Sequence, residues 1–208
     1  MTIINQLASS LNRRDEVPNQ ELAEKIAEKN DKHAVKELVE NLANKNKAIQ
    51  SDCIKVLDEI GERKPSLVVE YAKVFLALLT NKNNRLQWGA MAVLDAITLE
   101  NPKAMYIALP EIVAAMDNGS VITKDRGVSI LIKLCSVKQY AEDTFSLLVE
   151  QLLNSPTNQL PMYAEMAIPI INDKNKSAFI NTLTSRLDDI EKDTKRKRVE
   201  KVIKKLNV

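Results

Sequence analysis

Apolar and polar residues alternate along this chain with the period of an α-helix, and the alternation itself recurs. Displaced by 37 residues, the sequence overlies itself without gaps: IQSDCIKVLDEI (49–60) matches LQWGAMAVLDAI (86–97), then TKDRGVSILIKL (123–134) and PMYAEMAIPII (161–171). Ile60, Ile97, Leu134 and Ile171 form one apolar column, and Leu42, Leu79, Met116, Leu153 and Ile190 form another. Cys53, Ala90, Gly127 and Ala164 form a column of small residues, which lets two helices approach closely.

The punctuation recurs too. Asn44, Asn81, Asn118 and Ser155 stand where one helix should end and the next begin. Asn tolerates the left-handed conformation that closes a helix, and Ser caps the start of one. Pro65 and Pro102 mark the other turn, where a helix cannot continue. The pattern predicts five helical pairs. First helices cover 31–43, 67–80, 104–117, 141–154 and 177–190; second helices cover 47–62, 84–99, 121–137, 158–173 and 194–206. Two further helices, 3–12 and 19–29, precede them, with Leu22 and Ile26 as the buried side of the latter. The repeats then divide as 31–66, 67–103, 104–140, 141–176 and 177–208, one continuous domain behind N-terminal capping helices in 1–30. A lone helical pair cannot bury its apolar side, whereas stacked pairs can.

AIQSDCIKVLDEI and RLQWGAMAVLDAI resemble the second helix of HEAT repeats, with small residues ahead of a Leu. The resemblance covers about residues 30–208. It implies an all-α, right-handed α-α superhelix, a solenoid of the armadillo-like kind, whose second helices line a concave side. Where such repeats often carry Arg, this chain has Gln50, Gln87, Lys124 and Pro161, so a stacked arginine ladder is absent or replaced.

On a helical wheel Leu86, Ala90, Val93, Leu94 and Ile97 share a narrow arc, and Trp88, the single tryptophan, falls almost opposite. With the resemblance, this places Trp88 on the inner surface beside Arg85, either open to a partner or packed against the neighbouring inner helix. The same phase gives Ser51, Lys55, Asp58 and Glu62 in the first pair, then Ala92, Asp95 and Leu99 in the second. Asp125, Ser129, Ile132 and Ser136 follow in the third, and Met162, Met166, Pro169 and Asp173 in the fourth. Across 158–171 only Glu165 is charged, which suits that helix to a partner, to the C-terminal helix, or to a second copy in a homo-oligomer. Pro169 should shorten it.

Composition sharpens this picture in a few places. Apolar residues make up 45% and aromatics 4%, which suits helices better than sheets. The net charge of +2 demands neither nucleic acid nor membrane. Residues 191–208, however, hold eight Lys/Arg against three Asp/Glu, leaving the remainder of the chain negative. Lys195, Arg196, Lys197 and Arg198 are therefore read first as the polar cap of a terminal repeat, and second as a contact for phosphates or an acidic protein. Two cysteines without ligand spacing suggest buried free thiols in a reducing, cytoplasmic setting, and no apolar run approaches a membrane span.

Chemistry is sparse. The single histidine, His33, has no HxxxH or HExxH partner, so no metal site is expected, and no phosphate-binding or nucleophile-elbow motif occurs. No cofactor is expected. The reading is a non-catalytic protein-binding scaffold, with Arg85, Trp88, Asp125 and Arg126 as central contacts and Met162, Tyr163 and Met166 at an apolar end. Its partner is a protein of unknown identity. The resemblance also implies an alternative, since some HEAT-like proteins are DNA glycosylases with aromatics and a carboxylate in a basic groove. Trp88, Asp125 and Arg126 would serve there. Against it, Asp52, Asp58, Glu59 and Glu62 on the first inner helix repel phosphate.

Overall fold

The computed structural model describes residues 2–207. All regular elements among them are helical. Twelve α-helices follow in order: α1 Val17–Lys29, α2 Lys32–Glu40, α3 Lys47–Arg63, α4 Ala72–Leu78, α5 Asn84–Ile97, α6 Pro102–Ile107, α7 Leu109–Asn118, α8 Val121–Cys135, α9 Ala141–Asn154, α10 Leu160–Ala167, α11 Lys176–Ser185 and α12 Asp193–Leu206. The chain separates into two compact units, Met1–Gly127 and Val128–Val208, with the boundary inside α8.

In unit 1, α3 packs against α1, α2 and α5, and α5 packs against α4. Val56, Leu57, Ile60, Phe75, Val93, Leu94 and Ile97 are fully buried there, each worth about 1.5–3 kcal/mol of transfer free energy. The small-residue column does what its size permits. A Cβ on Gly127 would lie 2.3 Å from Met116 Cγ, so α8 sits hard against α7. One on Gly89 would lie 2.4 Å from Ile54 Cγ1, so α5 sits as close to α3.

Two Asn-x-Asn runs start α3 and α5. Asn44 Oδ1 accepts from Asn46 N, and Asn81 Oδ1 from Asn83 N, at 2.9 and 2.8 Å. Asn46 and Asn83 then cap α3 and α5 through bonds from Ala48 N and Arg85 N. The expected left-handed closure is not used at Asn44, Asn81 or Asn118. Among the described residues only Asn12 and Asn30 have positive φ, and Asn30 closes α1. The asparagines act through their side chains instead.

Gln50 and Gln87, one repeat apart, both serve helix ends. Gln50 Nε2 donates to the Asn44 carbonyl at 2.7 Å, and Gln87 Nε2 to that of Leu79 at 2.6 Å. Gln50 Oε1 accepts from Asn83 in the next pair. Each glutamine thus satisfies a carbonyl that a helix end leaves open.

Three elements differ from the expectation. The helix over 3–12 is a single 3₁₀ turn, Ile3–Gln6, because Leu7 and Ala8 turn inward and are pinned by polar bonds. Asn19 Oδ1 accepts from Ala8 N, while Asp52 accepts from Ser9 N and from Asn19 Nδ2. The N-terminal segment and α1 are thereby fixed alongside α3. The helix over 67–80 begins as two 3₁₀ turns, Pro65–Leu67 and Val69–Tyr71, and becomes α-helical only at Ala72. The helix over 104–117 breaks at Ala108, where Pro110 has no N–H to give to residue 106.

In unit 2, α11 packs on α9 and α12, and α10 packs on α9 and α12. Leu148, Leu152, Leu160, Tyr163, Phe179, Leu183 and Val199 fill its core. The second apolar column slips here: Leu42, Leu79, Met116 and Ile190 are buried, but Leu153 is 43% exposed and its neighbour Leu152 is buried instead. The buried side of α9 runs Thr144, Leu148, Leu152 at four-residue steps, one position off the repeat. As expected from Pro169, α10 stops at Ala167 and continues as a 3₁₀ turn, Ile168–Ile170.

Candidate functional site

Unit 1 presents α3, α5 and the start of α8 as successive second helices. Their predicted inner positions stay in contact with solvent at Ser51, Lys55, Asp58, Glu62, Trp88, Leu99 and Asp125, whereas Ala92 and Asp95 are covered. Arg85 is exposed. Trp88 is half-buried, and it does not lie among the fully buried side chains of the core. Its Nε1–H is closed off from solvent with no acceptor in reach. The polar edge of the ring is therefore packed rather than wet.

Arg126 lies differently from the expectation that it is a free contact. Its guanidinium is committed to two carboxylates, Asp95 Oδ2 at 3.3 Å and Glu62 Oε1 at 3.1 Å. It spans from α8 past α5 to the end of α3. Burial opposes its charge, but Asp95 and Asp58 more than offset this and its pKa rises. A second cluster lies on α3. Lys55 Nζ contacts Glu59 at 2.9 Å, Glu16 at 3.4 Å and Asp58 at 3.9 Å, and Glu59 also takes a hydrogen bond from Arg63. Burial works against Glu59, yet the Lys55 and Arg63 hydrogen bonds hold its carboxyl below the usual range. This network is the part that sequence reasoning missed. Its signal was present: Asp58 and Asp95 occupy one column of the repeat, in LDEI and LDAI.

The contacts proposed for unit 2 divide. Met162 is half-buried and Met166 is 36% exposed, so both are available. Tyr163 is 1% exposed and belongs to the core. It is the next residue round α10 from Met162, and a step of 100° carries it inward. The basic run is largely spent within the unit. Lys195 Nζ donates to Asn158 Oδ1 at 2.7 Å and to its carbonyl at 3.0 Å, and Arg196 donates to the Ile190 carbonyl. Lys197 pairs with Asp193 at 2.7 Å on its own helix. Arg198 grips Glu165, the one charge on α10, through two parallel bonds of 2.8 and 2.6 Å. The apolar α10 is thus covered on one side by α12. Arg186 closes the end of α9 by donating to the carbonyls of Leu152, Leu153 and Ser155.

Both cysteines are free and buried, and burial pushes each thiol up to about 12, so neither is a nucleophile at neutral pH. Among the described residues no group of His, Cys, Asp and Glu is arranged to hold a metal ion, and no helix is long and apolar enough to cross a membrane.

No family model and no curated protein matches the chain. Solved structures do. One is the crystal structure of an engineered protein, Northeast Structural Genomics Consortium target OR329, at 17% identity and a TM-score of 0.56, covering 100% of this chain and 97% of that one. Another is a second engineered protein, target OR366, at 20% identity and a TM-score of 0.60, covering 99% and 100%. At this identity the likeness concerns the fold alone.

Proposed function

We propose that the chain is a HEAT-like, non-catalytic scaffold that binds another protein through the inner side of its second helices. The observation that carries this reading is the position of Trp88. A large aromatic sits partly exposed on α5 beside the exposed Arg85, with the polar Asn84 and the small Ala92 one turn away on either side. An aromatic with an adjacent arginine, on a rigid helix, is the composition of an interface anchor. The repeated hairpins support the solenoid reading, and the commitment of Arg126 to Asp95 and Glu62 weighs against a nucleic-acid groove, which needs free cations.

Affinity capture from native cells, with wild type and Trp88→Ala compared by mass spectrometry, tests this. A protein retained by wild type and lost with Trp88→Ala supports the reading, and identical partner sets remove it. Duplex DNA titrated at low salt is the companion measurement, and tight, salt-dependent binding would replace the scaffold reading with the nucleic-acid one.

A further inference from the structure

Glu16 ahead of α1, Asp58, Glu59 and Glu62 on α3, and Asp95 on α5 gather around Lys55, Arg63 and Arg126. Four of the five carboxylates have a cation within 3.4 Å: Lys55 serves Glu16 and Glu59, Arg63 serves Glu59, and Arg126 serves Glu62 and Asp95. Asp58 is the one left over. Its nearest cation is Lys55 at 3.9 Å, too far for a hydrogen bond, and its side chain is only 15% exposed. Its Oδ1 is sealed from solvent and has no donor.

A buried carboxylate oxygen without a donor is costly when charged and much less so when neutral. The seal decides what can relieve it. An ammonium group from a partner cannot approach an oxygen that presents no surface, whereas a proton can. We propose that Asp58 is a proton switch: its carboxyl is protonated in the folded chain under mildly acidic conditions, and unit 1 is held more tightly there than at neutral pH.

The electrostatics agree with the geometry. Burial pushes Asp58 up to about 6, against the pull of Lys55 and Arg126 and with the repulsion of Glu62 and Glu59. That folded value lies above the 3.8 of an ordinary Asp, so the stabilisation is complete below about 3.8 and is lost as pH rises through about 6. From pH 7.5 to pH 5 this one group should lower the unfolding equilibrium constant about tenfold. Glu59 limits the acid side. Its depressed carboxyl contributes stability only above the ordinary glutamate range, and that contribution is lost as pH falls through its folded value.

The test is a carbon-13 NMR titration of the Asp carboxyls in the intact chain, with Asp58 assigned by its absence in Asp58→Asn. Urea unfolding of both proteins between pH 7.5 and pH 5 accompanies it. The proposal expects an Asp58 midpoint near 6, a roughly tenfold change in the wild-type unfolding constant, and its loss in Asp58→Asn. An Asp58 midpoint below about 5, or an unchanged pH dependence in Asp58→Asn, overturns it. Should Asp58→Asn not fold, Glu62→Gln assigns the signal instead. Removing that repelling charge should lower the Asp58 midpoint, and no movement counts against the proposal.

Discussion

In unit 1, Arg126 reaches from α8 to Asp95, a carboxylate whose side chain is 5% exposed. In unit 2, Arg198 reaches from α12 to Glu165, and both partners lie open to water at 46% and 42%. The second pair has the better geometry, two short parallel bonds, while the first has a single longer contact of 3.3 Å. Burial nevertheless makes the first pair the more consequential. Taking Arg126 away removes a cation from Asp95, which water barely reaches, whereas taking Arg198 away returns Glu165 to solvent. Similar arginine–carboxylate contacts thus tie elements together inside unit 1 and only brace a surface in unit 2.

Neither pair should rival the apolar cores, and that sets the upper end of the comparison. Phe179 is fully buried on α11 and Leu57 on α3. Phe179→Ala should cost about 3–5 kcal/mol and Leu57→Ala about 2–5 kcal/mol in urea unfolding at pH 7. If Leu57→Ala proves cheaper than Arg126→Ala, the charged network rather than the core organises unit 1. Arg126→Ala comes next, at about 2 kcal/mol, because it removes the guanidinium that Asp95, Glu62 and Asp58 share. Arg126→Lys should recover only part of this, since an ammonium lacks the fork that meets two carboxylates at once.

Much of this arrangement was legible before any coordinates. The helical character of the chain was legible in its spacing, and Pro65 and Pro102 do stand at turns; the pattern has Asn44 and Asn81 closing helices, whereas the caps are their neighbours Asn46 and Asn83. What escaped has a physical reason in each case. Pro110 breaks the helix expected over 104–117 into α6 and α7, yet the apolar spacing on both sides of it still reads as one helix. Leu152 and Leu153 are chemically identical, so only packing decides which is buried. Tyr163 beside Met162 is the same problem one turn into α10. The fate of the basic run depended on Asn158, Glu165 and Ile190, more than thirty residues away in two of the three cases, and no local pattern reports such partners.

Arg186 is an intermediate case that sharpens the comparison. It is largely covered, like Arg126, but most of its bonds go to neutral carbonyls at the end of α9. Arg186→Ala should cost about 1–2 kcal/mol, less than Arg126→Ala, because the stranded groups are uncharged. Hydrogen exchange should show the loss as faster exchange in the last turn of α9. Uniform acceleration across the unit would mean that the arginine supports the whole core instead.

The smallest effect belongs to Arg198 and Glu165. Each single alanine variant should lose less than about 1 kcal/mol, and a double-mutant cycle should return a coupling of about 0.5 kcal/mol that shrinks in 1 M salt. Glu165 titration offers an independent reading. The hydrogen bond from Arg198 is the main influence holding its carboxyl below the ordinary glutamate range, so Arg198→Ala should raise its midpoint toward that range. A coupling as large as that between Arg126 and Asp95 would contradict the role given to burial. The two bidentate bonds would then matter more than the solvent around them, and unit 2 would have to be regarded as clamped by its last helix rather than merely covered by it.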